Sequence, residues 1–198
     1  MMRARAVHGN CVICMAILIV DMGSQYTHVI WRTCRDLGQE GKIVPKTVAR
    51  SELDAASAVI LSGGPSSVTK DNFHSLPDFI RTSGKPILGI CLGHQLIAHT
   101  LGGVVVKGKN AEYGISRVEV DRPGVLLEGV PASFNAWVSH FDEVKKMPEG
   151  FVSLAHSETC AHEAMECPKK KLFSVQFHPE VWHTENGESI LENFLKQV

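Results

Sequence analysis

Cys91 lies in "PILGICLGHQLIAHTLGG", with Gly89 two residues before it and Gly93 two residues after it. That G-x-C-x-G order, between an apolar run and a helix-like stretch, is the thiol counterpart of the G-x-S-x-G nucleophile elbow. Small flanking residues allow a sharp strand-to-helix turn, and the positive end of the following helix favours a thiolate over a thiol. A buried cysteine that merely ends a strand has the same pattern, because free cysteine also behaves as a small apolar residue. The spacing alone leaves both readings open.

A cysteine nucleophile needs a base, and the base needs an orienting group. "LFSVQFHPEV" supplies both: His178 leaves the end of an apolar run, and Glu180 follows Pro179, whose fixed φ stiffens the interval. No other histidine is followed by a carboxylate in so rigid a setting. Acyl transfer also requires N–H donors for the developing oxyanion. Gly64 of "LSGGPSS" and Leu92, the residue after the thiol, are expected to supply them. A phosphate cradle at Ser62–Pro65 is the rival reading. It fits neither G-x-x-x-x-G-K-[ST] nor G-x-G-x-x-G, and Pro65 lacks an amide where a phosphate loop wants one.

These residues need a frame that brings them together. "AILIVDMGSQY", "ASAVILSGGP" and "KPILGI" read as buried parallel strands opening into glycine-bearing loops. Between them, His28 to Leu37 and "LPDFIRTS" have helical spacing, and "LIAHTLGG" continues as a further helix with glycines as stops. The alternation predicts an α/β fold: a three-layer, open, mainly parallel sheet with helices on both faces. The second half is richer in β-type segments with Pro and Gly turns, which predicts an antiparallel extension, and "GESILENFLKQ" reads as a closing amphipathic helix. In such sheets ligands bind outside the carboxyl ends of the strands, where "DMGSQY", "LSGGPSS" and "GICLGHQ" all fall.

Composition narrows the function classes. The chain has 198 residues, 44% of them hydrophobic, and a net charge of −1, which suits one α/β domain. That domain is expected over residues 16–198, with residues 1–15 an N-terminal extension outside the core and Met15 an alternative start. Basic residues are scattered, so no nucleic-acid footprint is present, and Lys169–Lys171 reads as a solvated turn. No apolar run reaches the ~18 residues that span a bilayer. Six cysteines without disulfide-scaffold spacing point to a reducing, cytoplasmic setting. His8, Cys11 and Cys14 offer half a metal site with no matching second pair, so no metal is expected.

"GICLGHQL", "VQFHPEV" and "LSGGP" together resemble the class I, or triad-type, glutamine amidotransferases, over nearly all of the chain from Ala16. "DMGSQY", "AEYG", "WVSHFDEV", "SETCAHEAM" and "HPEVWHTENGE" are similar to the GMP synthase branch, in the form where the amidotransferase is a separate subunit, as in archaea. The resemblance implies Cys91 as nucleophile, His178 as acid/base and Glu180 as its orienting partner. It also implies that Gln95 positions the glutamine amide, and that Ser139, His140 and Phe141 meet the substrate's α-amino and α-carboxylate groups. Without it, Ser139–Phe141 reads as a plain surface loop and Gln95 as a solvated helix position. Leu92 stands where some fused relatives carry an aromatic, a change that a backbone donor tolerates.

The implied reaction is glutamine hydrolysis through a cysteine thioester, with ammonia passed to a partner. The ATP-pyrophosphatase signature S-G-G-x-D-S is not met here, since Ser62-Gly63-Gly64 continues as Pro-Ser-Ser. A separate synthetase subunit is therefore expected to hold XMP, ATP and Mg²⁺, with no cofactor in this chain; "AEYG" and "WHTENGE" are candidate docking segments. The alternatives are the amidotransferase component of another synthase, of anthranilate or aminodeoxychorismate type, a stand-alone γ-glutamyl cysteine hydrolase, or a non-catalytic scaffold.

Overall fold

The computed structural model describes residues 17–198, and of residues 109–111 only the backbone. The expected N-terminal extension and the His8, Cys11 and Cys14 group lie outside the described residues. Short apolar runs form the first strands: β1 (Ile17–Asp21), β3 (Val59–Leu61) and β4 (Ile87–Ile90). Later come β9 (Leu172–Val175) and, at the sheet's edge, β2 (Gly41–Pro45). The pairings β2–β1, β1–β3, β3–β4 and β4–β9 are all parallel.

Side chains alternate across this sheet with the strand period of two. Ile17 and Ile19 of β1 join the core beneath one face, while Leu18 and Val20 join the core beneath the other. The first core is closed by α1 (Thr27–Asp36) and α5 (Gly187–Leu195), through Ile30, Cys34, Ile190, Leu191 and Phe194. The second is closed by α2 (Arg50–Ala55), α3 (Leu76–Thr82) and α4 (Leu92–Thr100), through Leu53, Leu76, Phe79, Leu96 and Ile97. The expected three layers follow from this division. Among the described residues no helix is long and apolar enough to cross a membrane.

The antiparallel part is larger than the sequence suggests. Among the described residues a nine-stranded sheet runs β2-β1-β3-β4-β9-β8-β7-β5-β6. β8 (Ala164–Cys167), β7 (Val152–His156), β5 (Val104–Val120) and β6 (Ser133–Lys146) extend it with antiparallel pairings. Two elements of the parallel half escape the sequence reading, β2 and α2. β2 is an edge strand in which only Val44 is buried, so it lacks the continuous apolar run that marks a central strand. Gly41, which follows the first helical stretch, is its first residue. Lys169 and Lys170 lie in an exposed 3₁₀ turn that ends at Lys171 with φ +55°, matching the expected solvated turn.

The carboxyl ends of β1, β3, β4 and β9 are in register, with Val20 opposite Leu61, Leu61 opposite Gly89, and Ile90 opposite Val175. Four loops therefore leave one edge side by side. Close packing beneath them depends on two glycines. A Cβ on Gly93 would stand 2.5 Å from the Leu61 carbonyl oxygen, and one on Gly89 would stand 2.5 Å from the Gly93 carbonyl. Gly93→Ala is expected to cost about 1–3 kcal/mol, the usual range for overpacking. Thermal denaturation followed by circular dichroism should show this as a Tm several degrees lower.

Candidate active site

Cys91 forms the hinge between β4 and α4, with φ 52° and ψ −102°. A non-glycine residue at positive φ stores roughly 1–3 kcal/mol of strain and persists only when its surroundings hold it. Here its N–H donates to the Val175 carbonyl at 2.8 Å, and its own carbonyl accepts from Gln95 N–H at 3.1 Å. The elbow is thereby pinned to β9 on one side and to the first turn of α4 on the other. The other buried thiols have different surroundings. Burial pushes Cys34 up to about 11, and burial with the nearby Glu163 carboxylate raises Cys160 as well, which disfavours the reactive thiolate at both.

β9 delivers His178 beside the elbow. The His178 N–H donates to the Trp137 carbonyl at 2.9 Å, and its carbonyl accepts from the Thr184 hydroxyl at 2.6 Å. Nδ1 of His178 lies 2.9 Å from Oε1 of Glu180, and both side chains are buried. The Tyr26 ring meets the imidazole edge-on, with centroids 5.5 Å apart. Burial alone would lower the histidine's pKa. The Glu180 carboxylate and a hydrogen bond shared with the Cys91 thiol outweigh it, and His178 is raised to about 10. With Nδ1 facing Glu180, Nε2 is the nitrogen left for the thiol.

The SGGP turn closes over this pair. A Cβ on Gly63 would come within 2.9 Å of His178 Cε1, and one on Gly64 within 2.2 Å of the Met22 carbonyl oxygen. The same hypothetical atom on Gly64 would sit 3.1 Å from Leu92 Cδ2, so Gly64 and Leu92 are neighbours beside the elbow. Leu92 is the first residue of α4, where helix geometry leaves the N–H without an intrahelical acceptor. Two clefts meet at Gly64, Cys91 and Ser139. One, of about 520 Å³, runs past Gln95 and Asp142; the other, of about 410 Å³, runs past Tyr26 and His178.

Several expected residues sit differently from their sequence reading. Gln95 is buried, not solvated: its Nε2 donates to the Asp142 carbonyl at 2.7 Å and to Gln176 Oε1 at 3.1 Å. Its amide nitrogen is thus occupied in holding β6, which leaves Oε1 for any ligand. Ser139–Phe141 is no loop but the middle of β6, where the Ser139 carbonyl accepts from the Cys91 thiol at 3.8 Å. The His140 side chain turns inward, with Nε2 2.8 Å from Glu112 Oε2. Phe141 is 56% exposed, with the Lys107 ammonium 5.3 Å from its ring centroid.

A charge cluster beneath these residues escapes the sequence reading altogether. Glu112, His140 and Glu163 bring one potential ligand atom each within 4.8 Å of one another. This is metal-ligand chemistry by type, yet the short His140–Glu112 contact already turns two of the three groups on each other. Burial raises Glu163 to about 7, against the opposing pull of His140 and with further upward push from Glu112. Only the apolar neighbours of Glu163 in "AHEAM" hint at its burial. His94 is a second buried histidine outside the site, pushed down to about 3 by burial and then by His162, with its Nδ1 2.9 Å from Ser174 Oγ.

A buried thiol, imidazole and carboxylate in series at the strand ends invite comparison with known proteins. The family model of class-I glutamine amidotransferases matches residues 18–198. A glutamine-hydrolyzing GMP synthase subunit of Pyrococcus abyssi is 47% identical over 182 residues, covering 91% of this chain and 97% of that one. Its counterpart from Methanocaldococcus jannaschii is 48% identical over 183 residues, covering 91% and 96%. GMP synthase of Aliivibrio fischeri is 41% identical, and this chain spans only 36% of its length. A crystal structure from Thermoplasma acidophilum, described as that of a candidate GMP synthase subunit, superposes with TM-score 0.86 at 37% identity, covering 92% of this chain and 93% of the other. Agreement of this extent, in sequence and in fold, means that the chain belongs to the class-I glutamine amidotransferase family.

Proposed function

We propose that the chain is the glutaminase subunit of a GMP synthase, which hydrolyses glutamine through a thioester and delivers ammonia to a separate ATP-pyrophosphatase subunit. The observation that carries this reading is that Cys91 and His178 line one cleft, with His178 Nδ1 held 2.9 Å from Glu180 Oε1 behind it. The identity to glutamine-hydrolyzing GMP synthase subunits, over nearly their whole length, supports the substrate and the destination of the ammonia.

In this mechanism Glu180 accepts the Nδ1 proton of His178 in a hydrogen bond and holds the ring so that Nε2 faces the sulfur. The sulfur of Cys91 attacks the side-chain amide carbon of glutamine, and a C–S bond forms as the carbonyl electrons move to oxygen. The amides of Gly64 and Leu92 receive that oxyanion. Collapse breaks the C–N bond, and the Nε2 proton goes to the departing nitrogen, which leaves as ammonia. Water then gives a proton to His178 and attacks the thioester carbon. The C–S bond breaks, glutamate leaves, and the imidazolium–thiolate pair is restored. Gln95 with Ser139, His140 and Phe141 lines the substrate's path.

Ammonia released into water at neutral pH becomes mostly ammonium, which has no lone pair for attack. The useful product must therefore pass directly to the protein that consumes it. That partner, in this reading, binds XMP, ATP and Mg²⁺, while the present chain needs no cofactor and works in the cytoplasm without nucleic acid or membrane.

Two measurements test the reading. Cys91→Ala should lower partner-stimulated glutamate release by at least about a thousandfold, as loss of a nucleophile commonly does. GMP formation from added ammonium salts should persist in the same mixture; retention of glutamine hydrolysis would sink the assignment. Glu180→Gln removes the largest upward influence on His178, so its pKa should fall. In the wild type the imidazolium's contribution to stability is complete below pH 6.5 and is lost as pH rises through about 10. In the variant that alkaline loss, and the alkaline limb of glutaminase activity, should both move to lower pH; unchanged pH profiles would count against Glu180 as the orienting group.

A further inference from the structure

The two candidate docking segments lie about seventy residues apart in the chain, yet they meet on the folded surface. Tyr113 packs edge-on against Trp137 with centroids 5.5 Å apart, Trp137 stacks on His183 at 4.9 Å, and Trp182 lies against His183 at 3.5 Å. Ile115 pairs directly with Trp137 across the β5–β6 ladder, which puts both side chains on one face of that hairpin. The "AEYG" and "WHTENGE" stretches thereby become one continuous aromatic surface.

That surface is unusual in its exposure. Trp182 is 85% exposed, Tyr113 78% and Ile115 60%. Large apolar side chains gathered in one exposed patch mark interaction sites, and tryptophan and tyrosine are the residues that most often anchor them. Beneath the patch, Trp137 Nε1 and His183 Nδ1 are shut off from solvent without a hydrogen-bond partner among the described residues. The polar accounts of this stack are incomplete in the isolated chain.

The patch also borders the reaction centre. Tyr113 lines the same cleft as Cys91, and the Trp137 carbonyl is the acceptor that holds the His178 N–H. A body seated here would lie beside the cleft that holds Cys91. The Pyrococcus abyssi relative, which matches along nearly its whole length, is named as a subunit of the synthase, whereas the GMP synthase of Aliivibrio fischeri extends far beyond the part that this chain spans. In the longer relative the remainder is covalently joined to an equivalent of this domain. A synthase divided into subunits must hold the same pieces together by surface contact.

We propose that Tyr113, Ile115 and Trp182, backed by Trp137 and His183, form the surface on which the ATP-pyrophosphatase subunit docks, which rests on the function proposed above. Trp182 is the central anchor of that contact. The partner's complementary surface is apolar at its centre.

The test is a calorimetric titration of the ATP-pyrophosphatase subunit from the same organism into wild type, Trp182→Ala, Ile115→Ser and Val198→Ala. Val198 is an exposed apolar residue outside the stack and serves as the control. GMP formation is followed in parallel with glutamine and with ammonium salts as nitrogen source. Trp182→Ala should weaken association by about tenfold or more, Ile115→Ser should weaken it in the same direction, and Val198→Ala should titrate like wild type. At limiting concentrations glutamine-dependent GMP formation should fall with the affinity, while ammonium-dependent formation, a property of the partner, stays constant. Binding by both patch variants within about twofold of wild type, with wild-type glutamine-dependent synthesis intact, overturns the docking surface alone. Failure of the wild type itself to bind or to support synthesis overturns the proposed function and the docking surface with it.

Discussion

The strained turn at Cys91 is the constraint around which the rest of the molecule is arranged. A side-chain-bearing residue at positive φ relaxes unless its neighbours forbid it. The neighbours here are the close approach of Gly89 to Gly93, the Leu61 carbonyl under Gly93, and the Val175 carbonyl on the Cys91 amide. Each of these comes from a different element, β3, β4, α4 or β9, so the turn exists only once the parallel half of the sheet has formed. α4 carries the consequence: all its residues but His99 are buried, which fits a helix that must lie directly on the strands for its first turn to meet the thiol.

The antiparallel half contributes what a parallel sheet alone lacks. Its β6 strand lays the carbonyls of Trp137, Ser139 and Asp142 along the site, where they accept from His178, Cys91 and Gln95 in turn. The His140 side chain on the same strand borders the cleft and also meets the carboxylates of Glu112 and Glu163. One strand thus serves the cleft with its backbone carbonyls and, at His140, reaches a buried carboxylate as well. The register break between Lys107 and Glu112 on β5 lies opposite this stretch, as expected where a strand is bent to fit a site.

Legibility in the sequence follows the range of the interactions involved. The thiol, the His-Pro-Glu turn and the two glycine loops are readable because their constraints are local: a turn, a fixed φ, a missing Cβ. The buried parallel strands are readable from continuous apolar runs. β2 is not, since an edge strand has a half-exposed pattern, and the middle of β6 resembles a loop because Ser139, His140 and Asp142 are polar. Their burial and pairing come from β5 and from Gln95 and Gln176, which are distant in the chain. The charge of Glu163 disguises its place in the interior, and the aromatic stack is invisible because it assembles from β5, β6 and the loop before α5. Assigning Cys91, His178 and Glu180 their chemical roles rests on the family resemblance as well as on spacing.

The hydroxyl of Thr184 donates to the His178 carbonyl and accepts from the Trp137 N–H, at 2.6 and 2.9 Å. A single oxygen thus stitches the backbone carrying the imidazole to the strand carrying the indole. A methyl group in its place would leave a carbonyl and an amide unsatisfied at once, so no apolar isostere is equivalent here. The backbone of His178 is thereby tied twice to that of Trp137, once through this hydroxyl and once through its own N–H, so the imidazole and the indole share one anchorage.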